Sequence, residues 1–125
     1  MSMPIEKNKI LVVDDVEVNR ILARAYLEML GWNVDECDGS LATLEYLKTN
    51  TPESILMDIR MPDMDGVELV KILRKTHPIG TIMMVAYTAH AINEEVNAIR
   101  LAGFDEVLIK PITFKDVSFI FTRKT

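Results

Sequence analysis

The 125-residue chain has one cysteine, Cys37, two histidines and one tryptophan. A single cysteine excludes an intramolecular disulfide and any zinc cluster built on thiolates. The histidines, His77 and His90, leave little for a zinc site of another kind. Long hydrophobic runs are missing. The longest apolar stretches, such as Ile10 to Val13 and Ile82 to Ala86, are strand-sized and far short of a membrane span. Met1 to Asn8 carries Glu6 and Lys7 and no apolar segment, so it does not read as a signal peptide, and the cytoplasm is the expected location. Positive charge is in deficit: 14 Lys and Arg face 19 Asp and Glu, a net charge of -5. That balance argues against nucleic acid or an anionic membrane as the main partner. Internal repeats, low-complexity tracts and interdomain linkers are also missing. Apolar residues make up 49% and charged residues 26%, the composition of an ordinary folded domain. At this length one domain, residues 1–125, is expected.

The apolar residues change period along the chain. Ile10-Leu11-Val12-Val13 is a short β-branched run, as in a strand buried on both faces. Val18, Ile21, Leu22, Ala25 and Met29 then fall at helical spacing, and Gly31 supplies a stop. Trp32 to Cys37 reads as a second strand. Leu41, Leu44, Tyr46 and Leu47 suggest a short helix capped by Ser40. Ser54 to Met57 is a third strand. Asp65 and Glu68 mark a capping-box-like start to a helix on Val67, Val70 and Leu73, ended by His77-Pro78 and Gly80. Thr81 to Ala86 reads as a fourth strand, Ala91 to Ala102 as a helix stopped by Gly103, and Glu106 to Ile109 as a fifth strand. A last helix runs from Thr113 to about Arg123, with Thr113 and Asp116 at capping-box spacing. Strand and helix alternate five times, which predicts an α/β fold: a doubly wound parallel sheet with helices on both faces.

In such a sheet, ligands bind outside the carboxyl ends of the strands. The first strand ends in Asp14-Asp15, the third in Asp58, the fourth in Tyr87-Thr88 and the fifth in Lys110-Pro111. Only folding brings these acids, this hydroxyl and this ammonium together. Two carboxylates about 4 Å apart repel by on the order of 4 kcal/mol at an effective dielectric of 20, so a cation must offset them. Lys110 supplies one charge. A hard divalent ion such as Mg²⁺, which takes carboxylate and phosphate oxygens, would supply more. These are parts for phosphoryl transfer: a carboxylate nucleophile, a metal, a cationic clamp and a hydroxyl donor.

With these residues in this order, over about residues 9–123, the sequence resembles the receiver domains of two-component response regulators. The segment Met57-Asp58-Ile59-Arg60-Met61-Pro62-Asp63-Met64-Asp65-Gly66 and the pairs Asp14-Asp15, Thr88-Ala89 and Lys110-Pro111 carry the resemblance. It implies the flavodoxin-like strand order 2-1-3-4-5. It implies Asp58 as phosphoacceptor, receiving a phosphoryl group from a phosphohistidine on a histidine kinase or histidine phosphotransfer protein. Mg²⁺ would be held by Asp15, by Asp14 largely through water, by Asp58 and by the backbone carbonyl of Arg60. Lys110 would pair with the phosphate and Thr88 would bond a phosphoryl oxygen, while Ala89 leaves access. The Lys110-Pro111 bond is expected to be cis. Arg60 and His90 match positions that tune dephosphorylation in the family. Val18-Asn19-Arg20 and Thr88-Ala89-His90-Ala91 look like receivers joined to or fed by hybrid histidine kinases, which favours a relay.

One departure concerns output to the downstream protein. Many receivers carry Tyr or Phe three residues before the lysine, where this chain has Val107. A stiff, small valine cannot act as the aromatic switch. Activation is therefore expected through the loop from Thr88 to Asn93, with Tyr87 as the nearest aromatic to report it. A phosphotransfer partner is expected to dock on Val16, Val18, Leu22 and Ile112.

The resemblance implies a phosphoacceptor that assists its own modification rather than an enzyme. Other readings fit less well. An aspartate-nucleophile phosphatase would need an acid at Arg60, and a flavodoxin-like electron carrier a hydroxyl-rich loop where Asp14-Asp15-Val16-Glu17 stands. A degenerate receiver, used only for protein binding, would not keep the whole acceptor set.

Overall fold

The computed structural model describes residues 4–76, 82–89 and 92–122. His77, Pro78, Gly80, Thr81, His90, Ala91 and Arg123, to which the sequence assigned stops, starts or roles, lie outside the described residues. Five strands and five helices alternate: β1 Glu6–Val13, α1 Glu17–Met29, β2 Asn33–Cys37, α2 Ser40–Tyr46, β3 Pro52–Asp58, α3 Gly66–Thr76, β4 Met83–Thr88, α4 Asn93–Ala102, β5 Glu106–Ile109 and α5 Phe114–Phe121. All strand pairs are parallel, in the order β2-β1-β3-β4-β5, as the resemblance implied.

Side chains alternate across the sheet and build two cores. Leu11, Val13, Ile55, Met57 and Met84 face α3 and α4, meeting Leu69, Leu73 and Ile99. Ile10, Val12, Leu56 and Val85 face α1 and α5, meeting Leu27, Val117 and Phe121. The central strands are buried on both sides, which is why they read as continuous apolar runs. Trp32 lies just before β2, at the end of the sheet opposite the acids, and its indole N–H donates to the Phe121 carbonyl at 2.8 Å.

Several local expectations change. β1 begins earlier than Ile10, because Glu6 pairs with Pro52 through the backbone while its charged side chains stay outside the core. The register shifts between Glu6 and Ile10, and Asn8 there takes a φ of 66°, a conformation Asn tolerates well. Trp32 precedes β2 rather than opening it, and β4 runs on through Thr88.

The periodic apolar stripe of α1 faces water, as expected of Val18 and Leu22 at a docking surface. Val18 is 71% exposed, Ile21 54% and Met29 70%, and Leu22 and Ala25 are exposed with them. Ala23 and Leu27 form the buried face. Periodicity identified the helix but not which side of it meets the sheet. Ile112, expected at the same docking surface, is instead buried in the core beside α1 and α5.

Ser40 does not cap α2. It is buried, and its hydroxyl donates to the Met64 carbonyl at 2.7 Å. The cap comes from across the chain: Asp63 Oδ2 accepts the Leu41 N–H at 3.0 Å. A Cβ on Gly39 would sit 2.8 Å from that carboxylate oxygen, so a glycine lets the acid approach. Asp65 and Thr113 do cap as their spacing predicts, accepting the N–H groups of Val67 and Asp116.

Asp63→Ala should lower stability by about 1 kcal/mol, the usual worth of such a cap. The Leu41 N–H and neighbouring amides hold this carboxyl below its ordinary pKa. Its contribution is therefore complete above the unfolded value of 3.8 and is lost as pH falls through the lower folded value. Denaturant unfolding of both proteins at neutral and acid pH checks this, with the difference closing in acid.

Candidate functional site

The carboxyl ends of β1, β3, β4 and β5 converge, and the acids, hydroxyl and lysine named from the sequence lie on that edge. Asp14 follows β1 and is completely buried. Its Oδ1 accepts the Val16 N–H at 2.9 Å, an Asx-type turn that leads into α1. Asp15 beside it is exposed. Asp58 ends β3 and is 4% exposed. One carboxylate oxygen from each of Asp14, Asp15 and Asp58 lies within 4.8 Å of the others, so the three could hold a metal ion. An all-oxygen, all-carboxylate set fits a hard cation.

Lys110 closes the cluster. Its ammonium lies 3.1 Å from Asp58 Oδ1 and 3.4 Å from Asp14 Oδ2. The Lys110-Pro111 bond is cis, as expected. Thr88 is buried at the end of β4, one position beyond Tyr87, the residue in register with Asp58. Arg60 is exposed, and its backbone N–H reaches Asp58 Oδ1 at 3.4 Å. Ala89 is exposed and opens onto a cavity of about 290 Å³ lined also by Asn19, Leu22, Tyr87, Lys110 and Ile112.

The loop after Asp58 returns tightly on itself. Gly66 N–H donates to the Ile59 carbonyl at 2.8 Å, and a Cβ on Gly66 would sit 2.7 Å from the Asp58 carbonyl oxygen. Glycine is needed there for close approach, not for an unusual φ. Met57 and Met61 pack into the core and Met64 against it. Cys37 is buried, and burial pushes its thiol up to about 11, so it is chemically quiet.

Two groups contact Asp14 in ways not read from the sequence. The Tyr87 hydroxyl donates to Asp14 Oδ2 at 2.6 Å, and the Lys110 ammonium sits 4.6 Å from the centre of its ring. Tyr87 is 1% exposed and belongs to the core facing α1 and α5. It is thus anchored, not poised as the reporter suggested by its proximity to Thr88. The available signal was a phenol among the aliphatics of a doubly buried strand, since a buried Tyr hydroxyl finds a partner. Arg20 is the second: its guanidinium donates to the Asp14 carbonyl at 2.7 Å and to Glu36 at 3.0 Å.

These contacts split the two buried acids. Burial raises Asp14, but the Tyr87 hydroxyl, the Val16 N–H, Lys110 and Asn19 outweigh it and hold the carboxyl below its ordinary value. Burial, followed by the Asp14 charge, pushes Asp58 from 3.8 up to about 6, against the pull of Lys110. A folded pKa above the unfolded one favours the protonated folded state. Stability in the metal-free protein should therefore fall as pH rises from about 4 to about 6, by roughly 3 kcal/mol in all. Asp58→Asn should remove that loss. The variant should be more stable than the parent at pH 7 and no more stable below pH 4, as thermal unfolding in a chelating buffer would measure.

Comparison with known proteins agrees with this geometry. Residues 10–119 match the response regulator receiver domain family. The chain is 37% identical over 113 residues to the aerobic respiration control sensor protein ArcB of Escherichia coli, covering 90% of this chain and 14% of that protein. It is 31% identical over 104 residues to the polar-differentiation response regulator DivK of Brucella ovis, covering 83% of this chain and 85% of DivK. Among solved structures, a CheY-like receiver domain protein from Methanospirillum hungatei superposes with a TM-score of 0.80 at 28% identity, over 90% of this chain and 88% of that one. With Asp58, Lys110 and the paired acids meeting at one sheet edge, the chain belongs to the response regulator receiver domain family, the phosphoaccepting modules of two-component signalling.

Proposed function

We propose that Asp58 takes a phosphoryl group from a phosphohistidine on a histidine kinase or phosphotransfer protein, in a Mg²⁺-dependent reaction. The observation that carries this reading is the convergence of Asp58, the Asp14-Asp15 pair and Lys110, with Lys110 Nζ 3.1 Å from Asp58 Oδ1. In the transfer an Asp58 oxygen attacks phosphorus. The phosphorus–nitrogen bond breaks, and its electron pair returns to the imidazole of the donor. Lys110 balances charge on the phosphoryl oxygens, and Thr88 donates a hydrogen bond to one of them. Asp14, Asp15, Asp58 and the Arg60 carbonyl would hold Mg²⁺, which neutralises charge on the phosphoryl group. Asp58 attacks as the anion, so Lys110 and the cation must offset its raised pKa.

The exposed stripe on α1 supports a docking role for Val18, Ile21 and Leu22, beside the cavity that reaches Lys110. Buried Ile112 belongs to the floor of that surface rather than to its contact face. The chain spans 14% of the length of ArcB, and its likeness to a sensor protein supports a place in a relay with a protein donor. No helix among the described residues is long and apolar enough to cross a membrane, and a cytoplasmic place suits this role. Output would pass from Thr88 through the segment to Asn93 and α4 to a downstream protein. A purely protein-binding receiver is the weaker reading, because the full set of acids and the lysine is retained.

Incubation with acetyl phosphate and Mg²⁺ should place one phosphoryl group on Asp58, read by mass spectrometry. Asp58→Asn should abolish it, and Asp15→Ala should weaken Mg²⁺ binding in an NMR titration. Labelling of Asp58→Asn at the parental rate would refute the assignment. Ile21→Asp should slow transfer from a phosphorylated histidine protein at least tenfold while leaving acetyl phosphate uptake unchanged, because its exposed side chain bears on docking alone.

A further inference from the structure

One cation serves two buried anions at this site. Lys110 Nζ is 3.1 Å from Asp58 Oδ1 and 3.4 Å from Asp14 Oδ2. Asp14 has no exposed surface, so without a metal its hydrogen bonds come from protein donors. Its Oδ1 is taken by the Val16 N–H. At Oδ2 the Tyr87 hydroxyl stands at 2.6 Å, much closer than Lys110. A buried carboxylate oxygen deprived of a donor draws on whatever cation is within reach, because an unsatisfied buried anion is costly. Apart from Tyr87, the donor side chains that bear on Asp14 are Lys110 and Asn19, while the carboxylates of Asp15 and Asp58 face it as anions.

The geometry points to Tyr87 as a positioning residue: by satisfying Asp14 Oδ2 it leaves the Lys110 ammonium at Asp58, where the phosphoryl group arrives. The ring adds to this. Lys110 Nζ sits 4.6 Å from its centre, within the range of a cation–π contact, so the same side chain that occupies Asp14 also supports the lysine from beside. Tyr87 can do this because it cannot wander. It is held in register between Asp58 on β3 and Leu108 on β5, and it is fully packed. An aliphatic residue like its neighbours Val85 and Ala86 would fill such a strand position but would leave Asp14 to Lys110 and Asn19. The role is separate from holding a metal: it concerns which anion the lysine attends.

This inference rests on Asp58 as the acceptor, and the test separates the two. Tyr87→Phe keeps the ring and removes only the hydroxyl; an unchanged amide spectrum confirms folding. In the metal-free variant the Lys110 side-chain CH₂ resonances next to the ammonium should shift as the lysine moves toward Asp14. With saturating Mg²⁺ and acetyl phosphate, the maximal phosphorylation rate should fall roughly tenfold, with a much smaller change in Mg²⁺ affinity. In an Asp14→Asn background the charge that competes for Lys110 is gone, and Tyr87→Phe should then change neither the resonance nor the rate. A folded Tyr87→Phe protein with unaltered Lys110 resonances and maximal rate would overturn the inference, as would an equal loss in the Asp14→Asn background. If the phenylalanine variant does not fold, the parent protein decides: the Tyr87 hydroxyl proton should be protected from exchange with water and visible by NMR, and rapid exchange would overturn the role. Failure of the parent protein to take up phosphate on Asp58 would refute the proposed function, while the metal-free Lys110 resonances would still judge Tyr87.

Discussion

The Lys110 ammonium between Asp14 and Asp58 is the constraint on which the rest of the site depends. Two carboxylates at the end of a packed sheet cannot both remain charged without a cation at hydrogen-bond distance. The lysine reaches them from β5, past the neighbouring strand β4, and the fold must bring three strand ends to one place for it to do so. The arrangement is unequal. Asp14 is surrounded by donors and stays ionised, while Asp58, with fewer of them and with Asp14 beside it, holds its proton more readily. That inequality leaves Asp58 as the group of the two whose charge changes more easily.

The sheet makes this placement rigid. The central strands are packed on both faces, so Asp14, Asp58 and Thr88 sit at the ends of backbone segments that cannot shift without disturbing two cores. The loop after Asp58 is braced from two directions. Gly66 folds against the Asp58 carbonyl, and Asp63 caps α2 on the far side of the sheet edge. The loop is thereby tied at both ends. In contrast, α1 keeps an apolar stripe in water beside the site. Such a stripe is a cost to an isolated domain, and it is the surface on which the proposed docking rests.

Much of this was legible in the sequence because chemistry and periodicity agreed there. Doubly buried parallel strands read as continuous apolar runs, and each ended in a residue of marked polarity. Asp14-Asp15, Asp58, Thr88 and Lys110 could be placed on one edge from topology alone, and the structure brings them together there. Asp65 and Thr113 were legible as caps because capping is local. Ser40 misled because the donor–acceptor pairing at α2 is made by Asp63, distant in the chain, and no local spacing encodes it. The first residues of β1 escaped notice because backbone pairing and polar contacts, not apolar burial, hold them.

The sequence by itself determined the alternation of elements, the family and the identities of the acids and the lysine, because these follow from local periodicity and from residue chemistry. Tertiary structure decided which face of α1 is buried. An amphipathic pattern gives a helix its period, but only the surface it packs on decides which side loses water, and here Ala23 and Leu27 fit closely against the sheet while the larger stripe stays outside. Tertiary structure also decided that Tyr87 serves Asp14 and that Ile112 is interior. Both depend on distances between residues far apart in the chain, and hydrogen bonds and burial are properties of those distances rather than of the order of residues.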